Sequence, residues 1–147
     1  VGKTPAQFDE PPHITFSIFP SGNPAALAEL VEATPITDTG VRLIPFGVFL
    51  GDRHTLYYSA VLSPGLLQAH ARHYELIRER NIEYDPTYAP GNVLFHCTMA
   101  VEVEAGAFLR GVDICVRNPQ ILQGSVERIE LFEFFPLKPI HRRILEP

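Results

Sequence analysis

Hydrophobic residues recur along this chain in two rhythms, every second position in some stretches and every third or fourth in others, and the alternation predicts its elements. Residues 12–19 set Ile14, Phe16 and Ile18 against His13 and Thr15, the pattern of a strand, and Pro20, Ser21, Gly22, Asn23 and Pro24 close it. Asn23 as N-cap and Pro24 at the first helical position open a short helix over 25–33 with Ala26, Leu27, Leu30 and Val31 on one side. Two extended runs, 41–50 and 55–62, flank Gly51-Asp52-Arg53-His54 and predict an antiparallel hairpin. Ser63-Pro64 starts a long helix over 65–80, whose apolar face carries Leu66, Leu67, His70, Tyr74 and Ile77 and whose charged face carries Arg72, Glu75, Arg78 and Glu79. The breaker Tyr88-Ala89-Pro90-Gly91 leads into residues 92–103, which read as a strand buried on both faces. Phe108, Leu109, Val112, Cys115 and Val116 then mark a third helix stopped by Arg117-Asn118-Pro119. A strand over 124–135 and a last short run ending at Leu145 complete the chain, and residues 1–11 read as an extended leader.

Strands paired through a hairpin between helices predict a two-layer α+β sandwich, mostly antiparallel. At 147 residues the chain fits a single domain, and 46% hydrophobic with 20% charged residues is ordinary for a globular protein. The apolar runs are broken by residues such as Arg42 and Pro45 and are too short to span a bilayer, and no secretory signal is visible, so a soluble cytoplasmic protein is expected. Cys97 and Cys115 read as reduced core thiols. A net charge of -5 argues against a surface that tracks a nucleic-acid backbone, while a small anionic substrate can still find a locally positive pocket.

The chemistry lies in a repeated tripeptide. His13-Ile14-Thr15 and His96-Cys97-Thr98 each sit in an apolar run after a turn signal, and in a strand the His and Thr of each would share one face. Two facing imidazoles can hold one proton between them near neutral pH, one acting as base and the other as acid. The hydroxyls of Thr15 and Thr98 can hold the non-bridging oxygens of a phosphate placed between the rings. No metal-ligand spacing is present, and no cofactor is expected.

Pro12-His13-Ile14-Thr15 and His96-Cys97-Thr98-Met99-Ala100 resemble the paired motifs of the 2H phosphoesterase superfamily, which includes the 2'-5' RNA ligase-like proteins and cyclic phosphodiesterases. The resemblance takes in most of the chain, including the helix with His70 and Tyr74, the loop Tyr88-Ala89-Pro90-Gly91 and the closing strand before Pro136-Leu137-Lys138. It implies a bilobal, pseudo-symmetric fold with helices outside, a central cleft holding catalytic His13 and His96 with phosphate-binding Thr15 and Thr98, and metal-independent hydrolysis of a 2',3'-cyclic phosphate or 2'-5' phosphodiester. There are two departures. Only 12 residues precede His13, where the family opens with a strand and helix, so the first lobe is expected to lack that piece and to leave an exposed sheet edge. Phe95 stands where the family often has proline.

Weaker candidates surround the motifs. Arg53, at a hairpin tip beside a surface His54, could reach a phosphate, and Tyr57, Tyr58, Tyr84 and Tyr88 could stack on a base. His70 and His73 read as a packed helix face, His141 as part of a solvated tail, and Phe134 and Phe135 as core. Two other function classes fit the same chain: a nucleotide or RNA-end binding module without turnover, and an interaction protein that forms a homo-oligomer through the exposed edge.

Overall fold

The computed structural model describes residues 11–134 and 137–145; the leader over 1–10 and Phe135 lie outside the described residues. The chain is mixed α+β. In order it forms α1 (Pro24–Ala33), β1 (Gly40–Phe49), β2 (His54–Leu62), α2 (Pro64–Glu79), a single 3-10 turn (Pro86–Tyr88), β3 (His96–Val103), α3 (Ala105–Arg117), β4 (Leu122–Ser125), β5 (Arg128–Glu133) and β6 (Lys138–Ile144). β1 to β4 make one sheet in the order β3-β2-β1-β4, and β5 and β6 make a separate antiparallel pair. None of the described helices is long and apolar enough to cross a membrane.

The helix starts follow from local chemistry. The Asn23 side chain accepts from the main-chain N–H groups of Ala25 and Ala26, and that of Ser63 accepts from Leu66, while Pro24 and Pro64 occupy first-turn positions that need no donor. α2 stops at Asn81, which takes a left-handed φ of 52°. There the N–H of Ile82 reaches the carbonyl of Ile77 and that of Asn81 the carbonyl of Arg78, the paired bonds that close a helix through an αL residue.

The chain divides into two compact units. The first comprises the chain up to Thr15 with Arg42–Val61 and Leu94–Gln123; the second comprises Phe16–Val41, Leu62–Val93 and Gly124–Pro147. In the second, Leu27, Leu30 and Val31 of α1, Tyr74, Leu76 and Ile77 of α2 and Leu131 of β5 form the tightest core, flanked by Phe19, Ile82, Tyr84 and Ile140. Arg143 of β6 donates to the carbonyls of Val31, Glu32 and Thr34 and so covers the open C-terminal end of α1. In the first, α3 lies against β2: Gly111 sits so near Leu56 that an added Cβ would come within 2.6 Å of its Cδ1. α3 leaves Leu109, Ile114 and Val116 in solvent.

Several expectations need correction. Residues 11–19 form no regular strand. Side chains of α2 take a main-chain group that a ladder would use: His70 and Tyr74 both donate to the Phe16 carbonyl, while Ile18 offers its carbonyl to Asp85 N–H. The strand expected over 124–135 divides into β4 and β5, and the final run is β6. Phe134 is exposed rather than core, as is Leu67 on α2. His141 is no tail residue, because it lies within β6 and its Nε2 meets Glu32 Oε1 at 2.7 Å. His54 begins β2 and packs on Phe108 of α3 with ring centres 4.5 Å apart, which draws it off the loop surface.

Candidate active site

Both His-x-Thr motifs fall in the first unit. The His13 main chain hydrogen-bonds the thiol of Cys97, the residue between His96 and Thr98, so segments far apart in sequence lie side by side there. β3 begins at His96 itself, and its register against β2 sets Ser59 opposite His96 and Tyr57 opposite Thr98. Residues directly opposite in an antiparallel pair share a face, so His96, Thr98, Tyr57 and Ser59 stand together while Cys97 and Tyr58 point the other way. Cys97 is buried there, and burial raises its thiol pKa and keeps it unreactive.

The two histidines are held in the same manner. His96 Nδ1 lies 2.7 Å from the carbonyl of Leu94, and His13 Nδ1 lies 3.2 Å from the carbonyl of Pro11, in each case two residues back along the chain. A carbonyl oxygen can only accept, so the proton must sit on Nδ1 in both rings. In the neutral form Nε2 then carries the lone pair, and in the charged form Nε2 carries the proton to be given away. Both rings are half-buried, which leaves them reachable.

Aromatic rings fix His96 further. Its ring centre is 5.2 Å from that of Tyr57 and 5.1 Å edge-on from that of Phe49, and Phe49 and Tyr57 lie 4.4 Å apart. The Tyr57 ring occupies the space over Gly47, where a Cβ would meet Cε2 at 2.2 Å, so only glycine lets the tyrosine lie flat against β1. Tyr57 is 5% exposed and Phe49 is 41% exposed. The ring that faces outward beside His96 is therefore Phe49, which the sequence reading passed over. Its signal was its position at the end of β1, next to the hairpin whose far strand carries Tyr57.

The remaining candidates are placed elsewhere. Arg53 is exposed and paired with Glu104 at 3.1 Å. Tyr88 belongs to the second unit, where its carbonyl accepts from His70 Nε2 at 3.0 Å. No group of three or more His, Cys, Asp or Glu residues among the described residues is arranged to hold a metal ion. Comparison with family models, with curated proteins and with solved structures found no match.

His70 and His73 lie on a packed helix face, as expected. His73 is buried in a hydrogen-bonded chain, in which Thr34 Oγ1 donates to the Leu30 carbonyl, His73 Nδ1 donates to Thr34 Oγ1 at 2.8 Å, and Nε2 accepts from Ser17 Oγ at 2.9 Å. Burial, with the nearby His70 adding to it, pulls the His73 pKa down from 6.5 to about 4, so this ring is neutral at physiological pH. Its three-residue spacing from His70 was the only trace of this in the sequence.

Proposed function

We propose that the protein is a metal-independent phosphoesterase that opens a 2',3'-cyclic phosphate, or cleaves a 2'-5' phosphodiester, of a nucleotide or RNA end. The reading rests on one observation: His13 and His96 each donate Nδ1–H to the carbonyl two residues back, so in both rings Nε2 is the nitrogen that would exchange the proton. The reading carries with it the pseudo-symmetric, two-lobed sandwich and central cleft of the 2H superfamily, and a cytoplasmic location.

One neutral imidazole takes a proton from water at Nε2 as the water oxygen bonds to phosphorus. The other, protonated, gives its Nε2 proton to the departing ribose oxygen as the P–O bond breaks. The product carries one free hydroxyl and a phosphomonoester, each ring ends in the state its partner began in, and exchange of one proton with solvent resets the pair. Thr15 and Thr98 hydroxyls donate to the non-bridging oxygens and hold the phosphorus in line. General acid and general base each contribute about 10²- to 10⁴-fold. The two imidazoles suffice for this chemistry, so no metal enters it.

The test is hydrolysis of 2',3'-cyclic mononucleotides and 2'-5' dinucleotides followed by phosphorus NMR in the presence of a chelator. Turnover with a bell-shaped pH profile, abolished in His13→Ala and in His96→Ala, is the expected result. Turnover retained in either variant overturns the assignment. Binding without product in any condition establishes the silent binding module instead. Exposed Leu109, Ile114 and Val116 on α3 favour the interaction reading, which predicts a concentration-dependent oligomer by light scattering.

A further inference from the structure

Chain segments beside the two motifs are tied to one side chain of α2. His70, 3% exposed, sits one turn before Tyr74 on the same helix face. His70 Nε2 lies 3.2 Å from the carbonyl of Phe16 and 3.0 Å from that of Tyr88, and Tyr74 Oη donates to the Phe16 carbonyl at 3.3 Å. Both partners of Nε2 are carbonyls, so Nε2 carries the proton and its single N–H is shared between them. The Phe16 ring packs edge-on against the imidazole at 5.2 Å. Burial lowers the His70 pKa, against the opposing pull of the two carbonyls, and keeps the ring neutral at pH 7.

Phe16 follows Thr15 directly, and Tyr88 opens the loop that runs into His96. Residues 11–19 form no regular strand, and these side-chain bonds hold the carbonyl of the residue that follows Thr15. The loop after Tyr88 holds itself through short-range bonds such as Asn92 N–H to the Ala89 carbonyl.

We propose that His70 is a positioning residue for the acid–base pair, its one N–H holding at once the segment that leaves the first motif and the loop that enters the second. The inference rests on the phosphoesterase reading but is tested apart from it. It touches no substrate. Its effect is to restrict the backbone on either side of the reacting groups, where a displacement of about 1 Å can cost on the order of 100-fold in rate.

The experiment compares His70→Leu, which fills the space without a donor, with His70→Gln, whose amide can restore an N–H near the Nε2 position. The first readout is amide hydrogen exchange at Asp85, whose N–H bonds the Ile18 carbonyl, and at Ala89, Asn92 and Val93. Exchange at these four sites is expected to accelerate at least tenfold in His70→Leu relative to the α1 and β5 amides, and to return toward wild type in His70→Gln. The second readout is turnover of the cyclic nucleotide, expected to fall by about 10- to 100-fold in His70→Leu, mainly in kcat, with recovery in His70→Gln. Uniform acceleration across the chain, or identical behaviour of the two variants, overturns the proposal. A wild type without turnover overturns the enzyme reading and leaves the exchange pattern to decide the role of His70. If His70→Leu does not fold, Tyr74→Phe removes the second donor to Phe16 alone, and exchange is then expected to rise at Asp85 while Ala89, Asn92 and Val93 stay unchanged; unchanged exchange at Asp85 overturns the clamp.

Discussion

The two compact units use the same kinds of residue for opposite ends. In the second unit histidines are interior: His70 and His73 are buried, neutral and fully engaged with main-chain carbonyls and hydroxyls, within a core of Leu27, Leu30, Val31, Tyr74 and Ile77. In the first unit His13 and His96 remain half-buried, each with Nδ1 bonded to its own preceding chain. α3 there contributes no fully buried residue. The tightest cluster of buried side chains lies in one unit and the proposed acid–base pair in the other, and that difference can be tested by mutation.

The largest expected effect is on rate. His96→Ala should lower kcat by about 10²- to 10⁴-fold, equivalent to roughly 3–5 kcal/mol of barrier, while the melting temperature stays within a few degrees of wild type. A large loss of melting temperature would show that the first unit also depends on its histidine for stability, and the contrast would fail.

Next comes the core of the second unit. Leu30 is fully buried among α1, α2 and β5, and Leu30→Ala should destabilise the protein by about 2–5 kcal/mol in urea unfolding. An effect under about 1 kcal/mol would mean that this cluster is not the source of stability.

The pH dependence separates the two histidine classes more finely. His73 has its folded pKa depressed to about 4 from 6.5, so between those values the unfolded chain binds more protons than the native one. Its contribution is therefore complete above pH 6.5 and is lost as pH falls toward 4, on the order of 3 kcal/mol in all. Urea midpoints measured between pH 7 and 5 should fall in the wild type and stay flatter in His73→Asn; parallel curves would remove His73 as the cause.

Gly47→Ala is expected to cost about 1–3 kcal/mol, because its Cβ must push aside the Tyr57 ring that supports His96. Calorimetry combined with a turnover assay should register both losses together. The smallest effect belongs to Leu109→Glu on the outer side of α3, within about 0.5 kcal/mol by urea unfolding if that face is free in solution. A larger change would point to a partner that the isolated chain supplies to itself.

Features encoded by neighbouring residues were legible in the sequence. Asn23, Ser63, Pro24 and Pro64 announced both helix starts, because a cap is settled within three or four positions. The hairpin of β1 and β2 and the apolar run of β3 were likewise legible from period and breakers. What failed was everything decided at long range. The 12–19 run has a strand's alternation, yet α2 claims the Phe16 carbonyl from more than 50 positions away, and no local pattern records that competition. His73 and Thr34 lie 39 positions apart, and their hydrogen bond leaves only a three-residue spacing as its trace. Tyr57 was noticed while Phe49 and Gly47 were not, because the need for a bare Cα at Gly47 arises from a ring on the adjacent strand. The candidate site was readable as two tripeptides; the means by which each ring is held was not.

The bond from each imidazole to the carbonyl two places back uses an atom that every amino acid possesses. Pro11 supplies it for one ring and Leu94 for the other, with Pro12 and Phe95 intervening, so side-chain identity at those four positions leaves the tautomer untouched. An imidazole oriented by its own peptide backbone is inherited whole with a short piece of chain, and drift in the surrounding sequence can run far before it disturbs that orientation.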